Sequence, residues 1–98
     1  MKHVILSADN ELKVYLVPDS VEKSFERLCT EFHKNPPKKF LITLRGVTGY
    51  GFDESDFVEY LNEQVCGDEK CVFVESLGWD YNRKKWPEKY RKCRHYNF

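Results

Sequence analysis

No stretch of this chain approaches the ~18 to 20 consecutive apolar residues of a membrane-spanning helix. The opening segment is equally poor in what a secretory signal needs, with one lysine and only a short apolar run before Ser7. Net charge is also missing, because sixteen Lys and Arg stand against sixteen Asp and Glu. That balance excludes a histone-like basic protein and an acidic disordered tail. The four cysteines, Cys29, Cys66, Cys71 and Cys93, lack the secretory context in which a disulfide framework would be read, so they are expected to be reduced thiols. No internal repeat, linker or second domain is evident. The expectation is a cytoplasmic protein with no membrane partner and no cofactor, in which residues 1–98 form a single domain with one core.

What is present reads as alternating strands and helices. His3 to Ser7 and Leu12 to Val17 are apolar, β-branched-rich runs separated by Ala8, Asp9, Asn10 and Glu11, the length and chemistry of a hairpin. Pro18 stops the second run, and the spacing of Asp19 and Glu22 predicts an acidic capping box. Val21, Phe25, Leu28, Cys29 and Phe32 then share one helical face until Pro36 and Pro37 end it. Phe40 to Arg45 predicts a third strand, and Gly46 to Gly51 a surface loop. A second helix is signposted by Asp53 as N-cap, Asp56 three residues later, and Phe52 and Phe57 as a hydrophobic staple. Val58, Leu61 and Val65 carry its apolar face, and Gly67 stops it. Cys71 to Glu75 predicts a fourth, central strand. The fold class is therefore α+β, in the order ββαβαβ plus an aromatic, basic C-terminal segment. It predicts a mixed sheet with two helices on one face, and residues 79–98 packed on it as an irregular segment.

The zero net charge hides two opposed patches. Residues 80–98 hold Arg83, Lys84, Lys85, Lys89, Arg91, Lys92 and Arg94 against Asp80 and Glu88. The acidic excess of the remainder is concentrated in Asp53, Glu54, Asp56, Glu59, Glu63, Asp68 and Glu69. Trp79, Tyr81, Trp86, Tyr90, Tyr96 and Phe98 are interleaved with the basic residues. Such a segment either pins itself across the sheet by its rings or offers cations and stacking platforms to single-stranded nucleic acid. Its aromatic content argues against disorder.

Three chemical motifs are weaker. Cys66 and Cys71 with Cys93 and His95 can be drawn as a tetrahedral zinc site, although the second pair is spaced too tightly for a zinc finger and nothing in the sequence brings the pairs together. The loop Arg45 to Gly51 follows a strand and precedes a helix, but it matches neither the dinucleotide fingerprint nor the P-loop, and acidic residues follow it. Cys29 and His33 lie one helical turn apart, which reads better as a packed thiol beside an edge histidine than as a nucleophile and base.

The run Phe57 to Asn62, then Val74 to Trp79, then Pro87 to Cys93 and Tyr96 to Phe98 resembles a set of small bacterial proteins that share an F-V-E-Y-L-N … V-E-x-L-G-W … Y-N-F frame. The resemblance implies a compact α+β domain that includes the C-terminal segment. It implies no activity, cofactor or catalytic residue.

These readings converge on a small, non-enzymatic binding module that recognises a protein partner, in the manner of an inhibitor or accessory factor from a mobile element or phage. Trp86, Tyr90, Arg91 and Arg94 are the expected contacts. The alternative is binding of single-stranded nucleic acid or RNA through Arg83, Lys84, Lys85, Lys89, Arg91, Lys92, Arg94 and Tyr96. A zinc-stabilised module is a second alternative, and the opposed patches also suit a homodimer.

Overall fold

The computed structural model describes all of residues 1–98 and gives an α+β domain built around a four-stranded mixed sheet. β1 (Lys2–Ser7) and β2 (Leu12–Val17) form the expected antiparallel hairpin, with Lys2 opposite Val17 and Leu6 opposite Lys13. Asp9 turns it with φ 54°, a left-handed conformation that an aspartate tolerates.

Pro18 leads into α1 (Asp19–Lys23), which Ser24 separates from α2 (Phe25–Lys34). The single helix expected here is therefore two, although Val21, Phe25, Leu28, Cys29 and Phe32 all remain buried on one side. Asp19 does not cap. It is the first helical residue, and its carboxylate pairs with the Met1 ammonium at 2.9 Å, which holds it below the usual aspartate range.

The largest departure follows the two prolines. β3 (Leu41–Leu44) does not join the main sheet but pairs with β4 (Val47–Tyr50), a strand in the segment expected to be loop. Arg45 and Gly46 connect them with φ 52° and 79°, and positive φ at both central residues is what a two-residue type I′ turn requires. Phe40 and Phe52 anchor the base of this second hairpin by packing on Phe32, with ring centroids 5.9 and 5.0 Å away.

α3 (Glu54–Gln64) begins as its spacing predicts. The Asp53 carboxylate accepts from the Ser55 and Asp56 amides at 3.0 and 3.1 Å, and Asp56 accepts from the Asp53 amide at 3.0 Å. Phe57, Val58 and Leu61 face the sheet beside α2. β5 (Val72–Gly78) pairs only with β2, so it is an edge strand and not the central one expected. The C-terminal segment makes two short 3-10 turns and ends in β6 (Arg94–Asn97), which pairs parallel to β1. The strand order is β5-β2-β1-β6.

The sheet is covered on both faces. Val4, Leu6, Tyr15 and Val17 pack under the helices. Ile5, Leu12 and Val14 point the other way, where Trp86 and Tyr90 cover them, with 3% and 1% of their surface exposed. Alternating residues of β1 and β2 therefore feed two cores, and the C-terminal segment forms a third layer.

Candidate functional site

The basic, aromatic C-terminal segment was the leading sequence signal, and its rings and its charges divide. The Trp86 indole N–H donates to the Asp80 carbonyl at 2.8 Å, and the Tyr90 hydroxyl donates to the Glu75 carboxylate at 2.5 Å, which raises the Tyr90 pKa. Neither ring is presented to a partner. Arg83, Lys84, Lys85, Lys89, Arg91, Lys92 and Arg94 are all exposed, but most are engaged within the chain. The Arg83 guanidinium lies 4.8 Å from the Trp86 ring and donates to the carbonyls of Arg91 and Cys93. Arg91 donates to the Trp86 carbonyl, Lys85 pairs with Asp80 and Lys89 with Glu75. Arg94 reaches across to Glu22 of α1 at 2.8 Å. Tyr96 lies on the helix side, against Phe98 and the His33 imidazole, away from the Trp86 layer. Of the cations expected to act with it, Arg94 lines one groove with Tyr96 on the helix side, whereas Arg83 and Arg91 are bonded around Trp86.

The four residues drawn as a zinc site do not converge. Cys66 and Cys71 bring their sulfurs to 3.7 Å in the helix-side core, whereas Cys93 packs with the Trp86 layer and His95 contacts the Trp86 and Tyr81 rings. No three potential ligands gather anywhere in the chain. Cys29 and His33 also remain apart in role: burial pushes the Cys29 thiol pKa up, and the imidazole is exposed and bonded to the Tyr96 hydroxyl at 3.0 Å.

One polar pair was not legible in the sequence, because 88 residues separate its members. Ser7 Oγ lies 2.9 Å from His95 Nε2, which superficially resembles a nucleophile and its base. However, Ser7 donates its hydroxyl proton to Asn97 Oδ1 at 2.8 Å, so Nε2 is the donor in the histidine contact. Asn97 also accepts from the Asp9 amide and donates to the Asp9 carboxylate. These bonds tie β6 to the end of β1 and to the first hairpin turn. Burial, reinforced by Arg83, lowers the His95 pKa and keeps it neutral.

A second polar cluster stands on the helix side. Glu54, fully buried, pairs with Lys13 at 2.8 Å and receives Asn10 Nδ2 at 3.4 Å on both oxygens. It joins the N-terminus of α3 to β2, and every buried side-chain polar atom in the chain has a partner.

The surface that remains unsatisfied is apolar. All eight strand residues of the second hairpin are exposed, including Leu41, Ile42, Leu44, Val47 and Tyr50, with Leu44 at 70% and Val47 at 73%. Each of its strands pairs only with the other, so both outer edges carry free backbone donors and acceptors. Beside its base, two open grooves of about 420 and 540 Å³ share Pro37 and Tyr60 and run between the end of α2 and α3. β5 adds a further free edge, with Val72, Phe73 and Val74 exposed. Comparison with protein-family models, with curated proteins and with solved structures finds no match to this chain.

Proposed function

We propose that this chain is a non-enzymatic interaction module that recognises a protein partner, and that its contact surface is the hairpin of β3 and β4. The observation that carries the reading is that this hairpin exposes five large apolar side chains and two unpaired strand edges. Native edge strands are ordinarily defended by charge, proline or a covering element. Here the strand residues Leu41, Ile42, Thr43, Leu44, Val47, Thr48, Gly49 and Tyr50 include no charge and no proline. An apolar face rimmed by open backbone groups suits strand addition by another polypeptide, in which main-chain hydrogen bonds provide affinity and side-chain pockets provide selectivity. The adjoining groove along Pro37 and Tyr60 extends the same surface.

A protein partner fits this surface better than a nucleic acid does, since the hairpin has a single cation, Arg45, at its tip. The intrachain bonds of the basic segment point the same way, because they leave few of its cations free for phosphates.

The test is affinity capture from lysate of the native host, with and without nuclease, comparing the wild type with the double variant Leu44→Thr, Val47→Thr. These positions face each other across the hairpin, and threonine keeps strand propensity while removing apolar surface. The expected result is one stoichiometric protein that survives nuclease and is lost with the double variant. Equal capture by both proteins, or an eluate emptied by nuclease, would overturn the reading.

A further inference from the structure

We propose that Cys66 and Cys71 form a redox-active dithiol that closes reversibly into an intramolecular disulfide by exchange with a low-molecular-weight disulfide of the glutathione class. Their sulfurs lie 3.7 Å apart and both residues are buried. The surrounding turn holds them face to face. The Cys71 amide donates to Asn62 Oδ1 at 2.8 Å, and Lys70 Nζ donates to the carbonyls of Asn62 and Cys66 at 2.7 and 3.5 Å. A disulfide needs sulfurs about 2.05 Å apart, so the pair has to close by roughly 1.7 Å, within reach of side-chain rotation and a small adjustment of the turn. That turn, residues 67–70, is exposed, and nothing lies within 4 Å of the position a Cβ would take at Gly67.

The order of the two sulfurs follows from their surroundings. Burial, then the hydrogen bond with Cys66, raises the Cys71 thiol pKa, which disfavours its thiolate and makes Cys71 the resolving sulfur in the proposed exchange. The Cys66 thiol loses its proton, and its sulfur attacks one sulfur of the small disulfide. The first small thiolate leaves and takes up a proton, and a mixed disulfide remains on Cys66. Cys71 then gives up its proton, attacks Cys66 Sγ and expels the second small thiolate, which is protonated in turn. Two protein thiols are oxidised to one disulfide, and one small disulfide is reduced to two thiols.

Neither of the other cysteines has this arrangement. Cys29 has no sulfur in contact, and Cys93 lies in the layer on the opposite face of the sheet, its thiol directed at the Lys89 carbonyl. The consequence of closure is mechanical: Cys71 immediately precedes β5, so the disulfide pins the free edge strand to the C-terminal end of α3.

The inference is independent of the partner reading and is tested on the wild-type chain. The protein is equilibrated in glutathione buffers from fully reduced to fully oxidised, quenched in acid, alkylated and mapped by mass after trypsin. Cleavage after Lys70 places the two cysteines on separate peptides, so their linkage is read directly. The expected result is a linked pair that carries Cys66 and Cys71, an intact mass lower by two hydrogen atoms, and full reversal on reduction. The double variant Cys29→Ser, Cys93→Ser is expected to behave identically. Four reactive thiols in the most oxidising buffer, a persistent glutathione adduct on Cys66, or linkage through Cys29 or Cys93 would each overturn the proposal. Because the linkage is mapped on the wild type, a variant that fails to fold does not affect the result.

Discussion

Replacing Trp86 by Ala tests directly whether the C-terminal segment is part of the fold. Trp86 is 3% exposed and packs with Ile5, Leu12, Val14 and Tyr90 on the face of the sheet that the helices leave bare. Truncating a buried tryptophan removes its transfer free energy and leaves a cavity, at a cost of about 3–5 kcal/mol. The indole N–H bond to the Asp80 carbonyl and the Arg83 guanidinium stacked on the ring are lost with it. A domain of this size is stable by about 5–15 kcal/mol, so the variant is expected to lose roughly a fifth or more of the total. At ~4–8 °C per kcal/mol for a small domain, its melting temperature falls by at least ~12 °C. Urea unfolding followed by far-ultraviolet circular dichroism measures this as a lower midpoint with an unchanged slope. Trp86→Phe, which keeps most of the apolar volume, is expected to lose less. A change below about 0.5 kcal/mol, the range of ordinary surface substitutions, would refute the three-layer account and return Trp86 to the role of a surface contact.

Four further outcomes follow from the geometry. Lys13→Met leaves the buried Glu54 carboxylate without its ion partner and is expected to cost about 3 kcal/mol in urea unfolding, whereas Lys13→Met combined with Glu54→Leu is expected to recover most of that loss. The Glu54 hydrogen bond raises the Lys13 pKa and the Glu75 hydrogen bond raises that of Tyr90. Both contributions are complete below the ordinary values of about 10 and are lost as pH rises through the raised ones, so the melting temperature should fall above about pH 10, less steeply in Tyr90→Phe. On the acid side, burial lowers the His95 pKa, so the unfolded chain takes up that proton first and stability should fall below about pH 6.5, an effect that His95→Gln removes in a melting-temperature series against pH. Leu44→Thr with Val47→Thr should leave the unfolding free energy within about 0.5 kcal/mol of wild type in urea unfolding, since both side chains are exposed; a larger loss would mean that the hairpin is packed in solution.

Local chemistry determined the elements that were legible in the sequence. The first hairpin, the apolar face from Val21 to Phe32 and the Asp53–Asp56 cap each depend on residues within a few positions of one another, where turn propensity, helical period and capping geometry act without the rest of the chain. The segment Gly46 to Gly51, expected as a surface loop, instead holds the second strand of a hairpin. The apolar runs on either side of Arg45-Gly46 form a two-residue hairpin, which glycine at 46 permits. Its strands do not enter the main sheet, because Phe40 and Phe52 tie its base to Phe32 at the edge of the helical layer.

Only the tertiary structure decided the rest, since the deciding contacts join residues far apart in the chain. β6 has little strand propensity of its own and exists because β1 offers it a parallel edge, which the Ser7, His95 and Asn97 bonds secure. The apolar run Val72 to Val74 suits a central strand, but the main sheet has no strand beyond it, so the run lies on an edge. Trp86 and Tyr90 have the composition of contact residues, and they are buried because β1 and β2 direct apolar side chains to both faces while the helices cover only one. The sulfurs of Cys66 and Cys71 meet because Asn62 and Lys70 fold the intervening turn back on α3. Composition identified which residues were able to pack, bind or react, and long-range pairing selected among those roles, because burial depends on the elements that come to lie above each residue.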